Sequence, residues 1–161
     1  MTAATELYTD GSCPRNDGRS PGGWAFVVVF RGQEYHGSGA VKFGTTNNRM
    51  ELEAVIQGLC FVISKGYHTG VVNIVSDSQY VLNGMSKWCN TWRKNNWMTA
   101  GRRGIRQQVK NTAQWKRLYE LSRFSGIRCT YQWQRGHVGH RYNELCDMMA
   151  GQAVWDLIEH Q

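Results

Sequence analysis

The chain has 161 residues with 19 Lys and Arg against 12 Asp and Glu, a formal charge of +7, and 41% hydrophobic residues, which excludes a disordered or fibrous protein. Its longest uninterrupted apolar run, Trp24 to Phe30, is far shorter than the ~20 residues that span a bilayer. The N-terminal residues lack the basic and apolar regions of a secretory signal, so a monomeric cytoplasmic protein, one domain over 1–161 with no membrane attachment, is expected.

The pattern along the chain alternates between two periods. Leu7-Tyr8-Thr9 reads as a strand that stops at Asp10, and the stretch from Asp10 to Gly23, rich in turn formers, reads as a loop. Trp24 to Phe30 is a strand, Arg31-Gly32 a hairpin turn, and Gln33 to Val41 the returning strand. The period then lengthens. Leu52, Val55, Ile56, Leu59 and Val62 recur at three and four residues, marking an amphipathic helix with Glu51 in its first turn. Thr45, Thr46 and Asn47 are its cap candidates, and Gly66 lies beyond its end. Val71 to Ser76 is a short buried strand ending at Asp77. A helix from Ser78 to about Met85 and a Trp-rich helical piece near Trp88 follow. Gly101 to Gly104 reads as a basic loop, and Asn111 or Thr112 caps a helix carrying Trp115, Leu118 and Tyr119 inward. Ile127, Cys129, Tyr131 and Trp133 alternate with polar residues as a half-buried strand, and Asn143 to Ile158 closes the chain as a helix. This order fits a mixed α/β sheet with a hairpin edge and helices on its faces.

The charge is divided. Residues 78–135 hold 12 basic residues and one acid, a balance of +11, while the remainder carries −4. Aromatic rings interleave with the cations from Trp88 to Trp97, a composition suited to a polyanion with flat bases. In the acid-rich remainder lie Asp10, Glu51 and Asp147, with Asp77 just before the basic stretch. Each sits near a strand end or a helix start. Any one of them fits a turn or cap; gathered, such carboxylates would repel unless hard divalent ions neutralised them. Two such ions ~3.5–4 Å apart can activate water against a phosphodiester. The five cysteines form no C-x-x-C pair and are expected to be reduced. A zinc site from Cys129, His137, His140 and Cys146 is a distant rival, lacking the close cysteine pair of structural zinc sites.

Five segments carry a resemblance: Tyr8-Thr9-Asp10-Gly11-Ser12, Thr45 to Leu52, Asp77-Ser78-Gln79-Tyr80, Gly136-His137-Val138-Gly139-His140 and Asn143 to Asp147. In this order they resemble ribonuclease H type 1, the bacterial-type ribonuclease HI, from about Leu7 to Trp155. The resemblance implies the ribonuclease H-like α/β fold, a five-stranded mixed sheet (three antiparallel, two parallel) with helices on both faces. It implies cleavage of the RNA strand of an RNA–DNA hybrid by two Mg²⁺ ions, with Mn²⁺ as a substitute, leaving 5′-phosphate and 3′-hydroxyl ends. By position, Asp10, Glu51, Asp77 and Asp147 match the metal-binding acids, and His137 matches a histidine assisting proton movement or product release. His140 reads as helix-entry structure. Asn16, Asn47, Asn48 and Gln79 resemble the amides that read the minor groove and the RNA 2′-hydroxyls. Thr46 and Asn111 resemble a pocket for a DNA phosphate. Trp88, Trp92, Arg93 and Lys94, in a basic protrusion over about 86–106, resemble the grip on the DNA strand, with Trp97 mixed in role.

The sequence departs from the family pattern in three places. The loop after Asp10 is longer and adds Arg15, Asp17 and Arg19. Gly44 stands where many relatives offer an arginine to the phosphate pocket, so that pocket is weaker or recruits Lys42. The protrusion reads Asn95-Asn96 and Met98 where relatives are more basic, with Arg102, Arg103 and Arg106 as compensation. Two rivals use the same residues, a DNA nuclease of the transposase or resolvase kind and a non-catalytic hybrid-binding module. The first should lack the amide set and His137, and the second would tolerate loss of an acid.

Overall fold

The computed structural model describes residues 4–135 and 140–160. Strand β1 (Thr5–Ser12) leads into β2 (Gly22–Phe30) and β3 (Gln33–Val41). Helix α1 (Asn47–Ser64) and strand β4 (Val71–Ser76) follow. A helical run then comprises α2 (Gln79–Asn83), a π-turn over Gly84–Trp88, and α3 (Cys89–Lys94). Two short strands, β5 (Met98–Thr99) and β6 (Gln107–Gln108), precede α4 (Thr112–Leu121), β7 (Arg128–Trp133) and α5 (Arg141–Glu159). The main sheet has the order β3-β2-β1-β4-β7. Its first two junctions are antiparallel, and β1–β4 and β4–β7 are parallel. This is the mixed sheet expected from the sequence.

Side chains alternate across the pleat and give the sheet two buried faces. Leu7, Phe26, Val28, Val72 and Ile74 meet Leu52, Val55, Leu59 and Val62 of α1, with Trp115 and Leu118 of α4. Tyr8, Ala25, Val27 and Val75 on the other face meet Cys146 and Ala150 of α5. Helices therefore cover both faces. Cys129 packs with the first cluster and Cys146 with the second, which puts the sheet between two of the four residues of the rival zinc site.

Several boundaries differ from the sequence reading. Strand β1 does not stop at Asp10. It continues to Ser12 because Asp10, Gly11 and Ser12 keep pairing with Ala25, Trp24 and Gly23 of β2 after the pairing with β4 has ended at Tyr8. Helix α1 begins at Asn47 with Thr46 as its cap, the Thr46 hydroxyl accepting from the Arg49 N–H at 3.2 Å, so Glu51 is in the second turn and not the first. Asn111 holds the cap position of α4 at φ 59° without capping through its side chain. Trp133, expected inward, is 51% exposed at the end of β7. The small β5–β6 ladder, with Met98 opposite Gln108, was not visible in the sequence pattern.

Candidate active site

The sheet's topology brings the acids together. Strands β1 and β4 are parallel, so Asp10, two residues beyond their last paired position, and Asp77, directly after β4, both emerge at the carboxyl edge. Helix α1 crosses close behind β1, and Gly11 permits this. A Cβ at Gly11 would lie 2.4 Å from the Glu51 backbone nitrogen and 2.5 Å from the Met50 carbonyl carbon. Glu51 thereby arrives beside Asp10. One carboxylate oxygen from each of Asp10, Glu51 and Asp77 lies within 4.8 Å of the others. Asp10 and Glu51 are buried, and Asp77 opens toward solvent.

Burial pushes the Asp10 carboxyl up to about 7, with the charges of Asp77 and Asp147 adding to it. A hydrogen bond with Glu51 and another from the Gly11 N–H, at 2.9 Å to Oδ1, pull the other way. Glu51 is raised well above the usual carboxylate range by burial first, then by the charges of Asp10 and Asp77, and by its hydrogen bond to Asp10. Its Oε2 is buried with no hydrogen-bond partner. Three hard oxygen donors in mutual repulsion, one of them an orphaned buried oxygen, fit a divalent cation such as Mg²⁺. Asp147, on the exposed side of α5, lies outside this three-way group but near enough for its charge to act on Asp10. His137 lies outside the described residues. His140 is the cap residue of α5, and its ring stacks on Tyr8 at 5.3 Å.

Asp77 is held from its backbone. The Trp133 indole Nε1 donates to the Asp77 carbonyl at 3.1 Å, and the Ser78 N–H donates to the Ser76 hydroxyl at 3.0 Å. The sequence reading missed Trp133 at the site. The period-2 alternation that placed it inward takes no account of the strand ending at the sheet's open edge.

The loop after β1 docks on the start of α1. The Asn47 N–H donates to Asn16 Oδ1, and Asn47 Oδ1 accepts from the Cys13 N–H, each at 2.9 Å. Within that loop Asp17 Oδ1 accepts from the backbone N–H groups of Arg19 and Ser20, which hold its carboxyl below the usual range. Asn48 and Gln79 are exposed. Thr46 and Asn111 line one open groove of about 1260 Å³, together with Asn16, Asn47, Arg49 and Lys110. Lys42 does not join it. Its ammonium lies over the Phe43 ring, 5.3 Å from the centroid, and its side chain borders a separate hollow beside the end of α5. In the protrusion Trp88 is 39% exposed, and Arg93 and Lys94 are exposed. Trp92 instead sets its ring edgewise on Trp115 at 5.2 Å, and Trp97 meets Tyr119 edgewise at 6.0 Å, so both are partly core. Among the described residues no helix is long and apolar enough to cross a membrane.

Residues 2–155 match the family model described as RNase H. The chain is 40% identical over 154 residues to the ribonuclease H of Pseudomonas putida strain W619, covering 96% of this chain and 95% of that one. It is 42% identical over 152 residues to the ribonuclease H of Hydrogenovibrio crunogenus, covering 94% and 96%. Among solved structures it is similar to LC9-RNase H1, a type 1 RNase H with the type 2 active-site motif. That match has a TM-score of 0.79 and 28% identity, over 97% of this chain and 74% of that one.

Proposed function

The chain belongs to the ribonuclease H family, and from that premise we propose that it is an endonuclease hydrolysing the RNA strand of RNA–DNA hybrids with two Mg²⁺ ions, Mn²⁺ substituting. The observation that carries this reading is the group of Asp10, Glu51 and Asp77 at the carboxyl edge of the sheet. These three would hold metal, with Asp147 as the fourth acid. Bound there, the ions would supply Lewis acidity and an activated water. Water oxygen bonds to phosphorus, the bond from phosphorus to the ribose 3′-oxygen breaks, and the products are a 5′-phosphate and a 3′-hydroxyl. His137 is assigned to proton movement at this step or to product release.

Selection of the RNA strand falls to amides. Asn16, Asn47, Asn48 and Gln79 each offer both donor and acceptor, which a 2′-hydroxyl needs, and that group is what distinguishes RNA from DNA. Part of this set also has a structural job, since Asn16 and Asn47 hold the loop on α1. The DNA strand is assigned to Thr46 and Asn111 in the groove and to Trp88, Trp92, Arg93 and Lys94 in the protrusion. The protein is taken to act as a cytoplasmic monomer built as one domain.

A hybrid labelled at the RNA 5′-end tests the reading. Cleavage of its RNA strand with Mg²⁺, while duplex DNA and duplex RNA survive, is the expected result. Equal cutting of duplex DNA would overturn it in favour of a DNA nuclease on the same fold.

A further inference from the structure

The groove that holds Thr46 and Asn111 contains a cation in an unusual setting. Arg49, in the first turn of α1, donates from Nη1 to the Gly44 carbonyl at 2.7 Å and from Nε to Asn111 Oδ1 at 3.1 Å. Gly44 therefore takes part in the groove through its backbone oxygen. Among the described residues no carboxylate pairs with the Arg49 guanidinium. The nearest acid along this face, Glu53, spends its two oxygens on the side-chain amides of Gln57 and Gln114. Two of the five guanidinium N–H groups are bound, which leaves the Nη2 edge to an anion partner.

The same bond fixes the orientation of an amide. Because Arg49 can only donate, Asn111 must turn its oxygen toward it. The Asn111 Nδ2 then faces the other way and donates to the Tyr80 hydroxyl at 3.1 Å. That hydroxyl also accepts from the buried Trp115 indole at 3.1 Å. A chain of four side chains thus runs from the start of α1, through the start of α4, to the core and to α2. Nδ2 keeps its second N–H for the groove. A lysine at 49 would retain the charge but could not make both bonds with a fixed fork.

We propose that Arg49 is the positioning residue of this groove. It holds the Asn111 amide with its Nδ2 turned away from the guanidinium and offers its own free edge to the same DNA-strand phosphate. The proposal rests on the hybrid-cleaving reading above. A rival occupant of the role, Lys42, points to a different hollow. Lys110 adds charge to the groove but makes none of the bonds that orient the amide.

The test compares the wild type with Arg49→Ala and Arg49→Lys on hybrids that each carry one neutral methylphosphonate at a different position of the DNA strand. On the unmodified hybrid, KM should rise about tenfold for Arg49→Ala and nearly as much for Arg49→Lys, a scale set by hydrogen bonds to charged groups. The turnover number should move less than KM. One methylphosphonate position should raise the wild-type KM, and on that hybrid all three proteins should behave alike. Melting curves confirm that the variants fold. If Arg49→Lys matches the wild type, the positioning role is overturned. If the Arg49→Ala penalty is the same on every modified hybrid, the phosphate role is overturned and the residue is structural. A wild type that cuts no hybrid overturns the underlying reading along with this one.

Discussion

Gly11 and the backbone of Glu51 are in such close approach that a single methyl group on Gly11 would sit 2.4 Å from the Glu51 nitrogen. The smallest side chain must therefore push α1 off β1, and with it the carboxyl that lies beside Asp10. Gly11→Ala is expected to destabilise the protein by about 1–3 kcal/mol, the usual cost of overpacking. It should lower the turnover number by roughly 10²-fold, since displacement of a ligand by about 1 Å costs that much. Gly151→Ala is the matched control. A Cβ at that helical position meets nothing within 4 Å, so stability should rise by about 0.5–1 kcal/mol. Thermal melts and single-turnover rates on a hybrid check both.

Asp10→Asn separates catalysis from binding. The change removes a charged oxygen donor from the three-carboxylate group without touching the groove or the protrusion. Cleavage should fall by at least about 10³-fold, the scale of losing a group that stabilises charge in the transition state. Hybrid affinity, measured by fluorescence anisotropy, should stay within a few-fold of wild type. Strong cleavage by the variant in the presence of a chelator would refute the metal-centred mechanism.

Much of the architecture was legible because it follows from period and chain order. The βββαβ order suits a hairpin edge followed by a right-handed crossover, so Asp10 and Asp77 were expected at one edge if their strands were parallel neighbours, and the β1–β4 pairing makes them so. Composition could not show that α1 would lie within contact of Gly11, because that approach depends on the absence of a side chain and not on a hydrophobic repeat. Arg49 was equally hidden. It reads as an ordinary exposed helix cation, and its meaning comes from Asn111, 62 residues away. Trp133 misled for a related reason: alternation assigns a face, whereas exposure depends on what covers the strand's last residue. The tryptophans of the protrusion divide only once Trp115 is seen beneath Trp92.

The acid pair makes stability depend on pH in the absence of metal. Asp10 holds its proton up to about 7 in the folded protein, against an ordinary value of 3.8 in the unfolded chain, chiefly because burial disfavours the charge. The folded state therefore binds more protons between those values, and stability falls as pH rises through them. The contribution is complete below about 4 and gone above about 7. Glu51 shifts in the same direction and extends the loss. Asp17 and Glu34 are shifted downward, so their contributions are lost only as pH falls below their ordinary values of 3.8 and 4.5, which leaves the comparison between pH 5 and pH 8 to the acid pair. The metal-free protein should melt at a lower temperature at pH 8 than at pH 5. Mg²⁺ should raise the melting temperature more at pH 8, and Asp10→Asn should narrow the gap between the two pH values. Equal melting temperatures for the wild type at both pH values would show that the carboxyls are not desolvated as described.

Trp88 and Trp92 should respond oppositely to truncation although they are four residues apart. Trp88 is 39% exposed, and Lys94 in the same protrusion is exposed as well. Trp92 lies edgewise on fully buried Trp115 and partly within the core. Trp88→Ala with Lys94→Ala should raise KM for the hybrid by roughly 10-fold or more, since a stacked ring and a phosphate contact are both lost, with little change in melting temperature. The dependence of KM on salt should flatten, because one fewer cation displaces counterions on binding. Trp92→Ala should cost roughly 2–4 kcal/mol of stability through the cavity it leaves against Trp115, and only secondarily raise KM. Urea unfolding curves paired with KM measurements at two salt concentrations distinguish the two. An unchanged KM in the double variant would remove the protrusion from substrate binding.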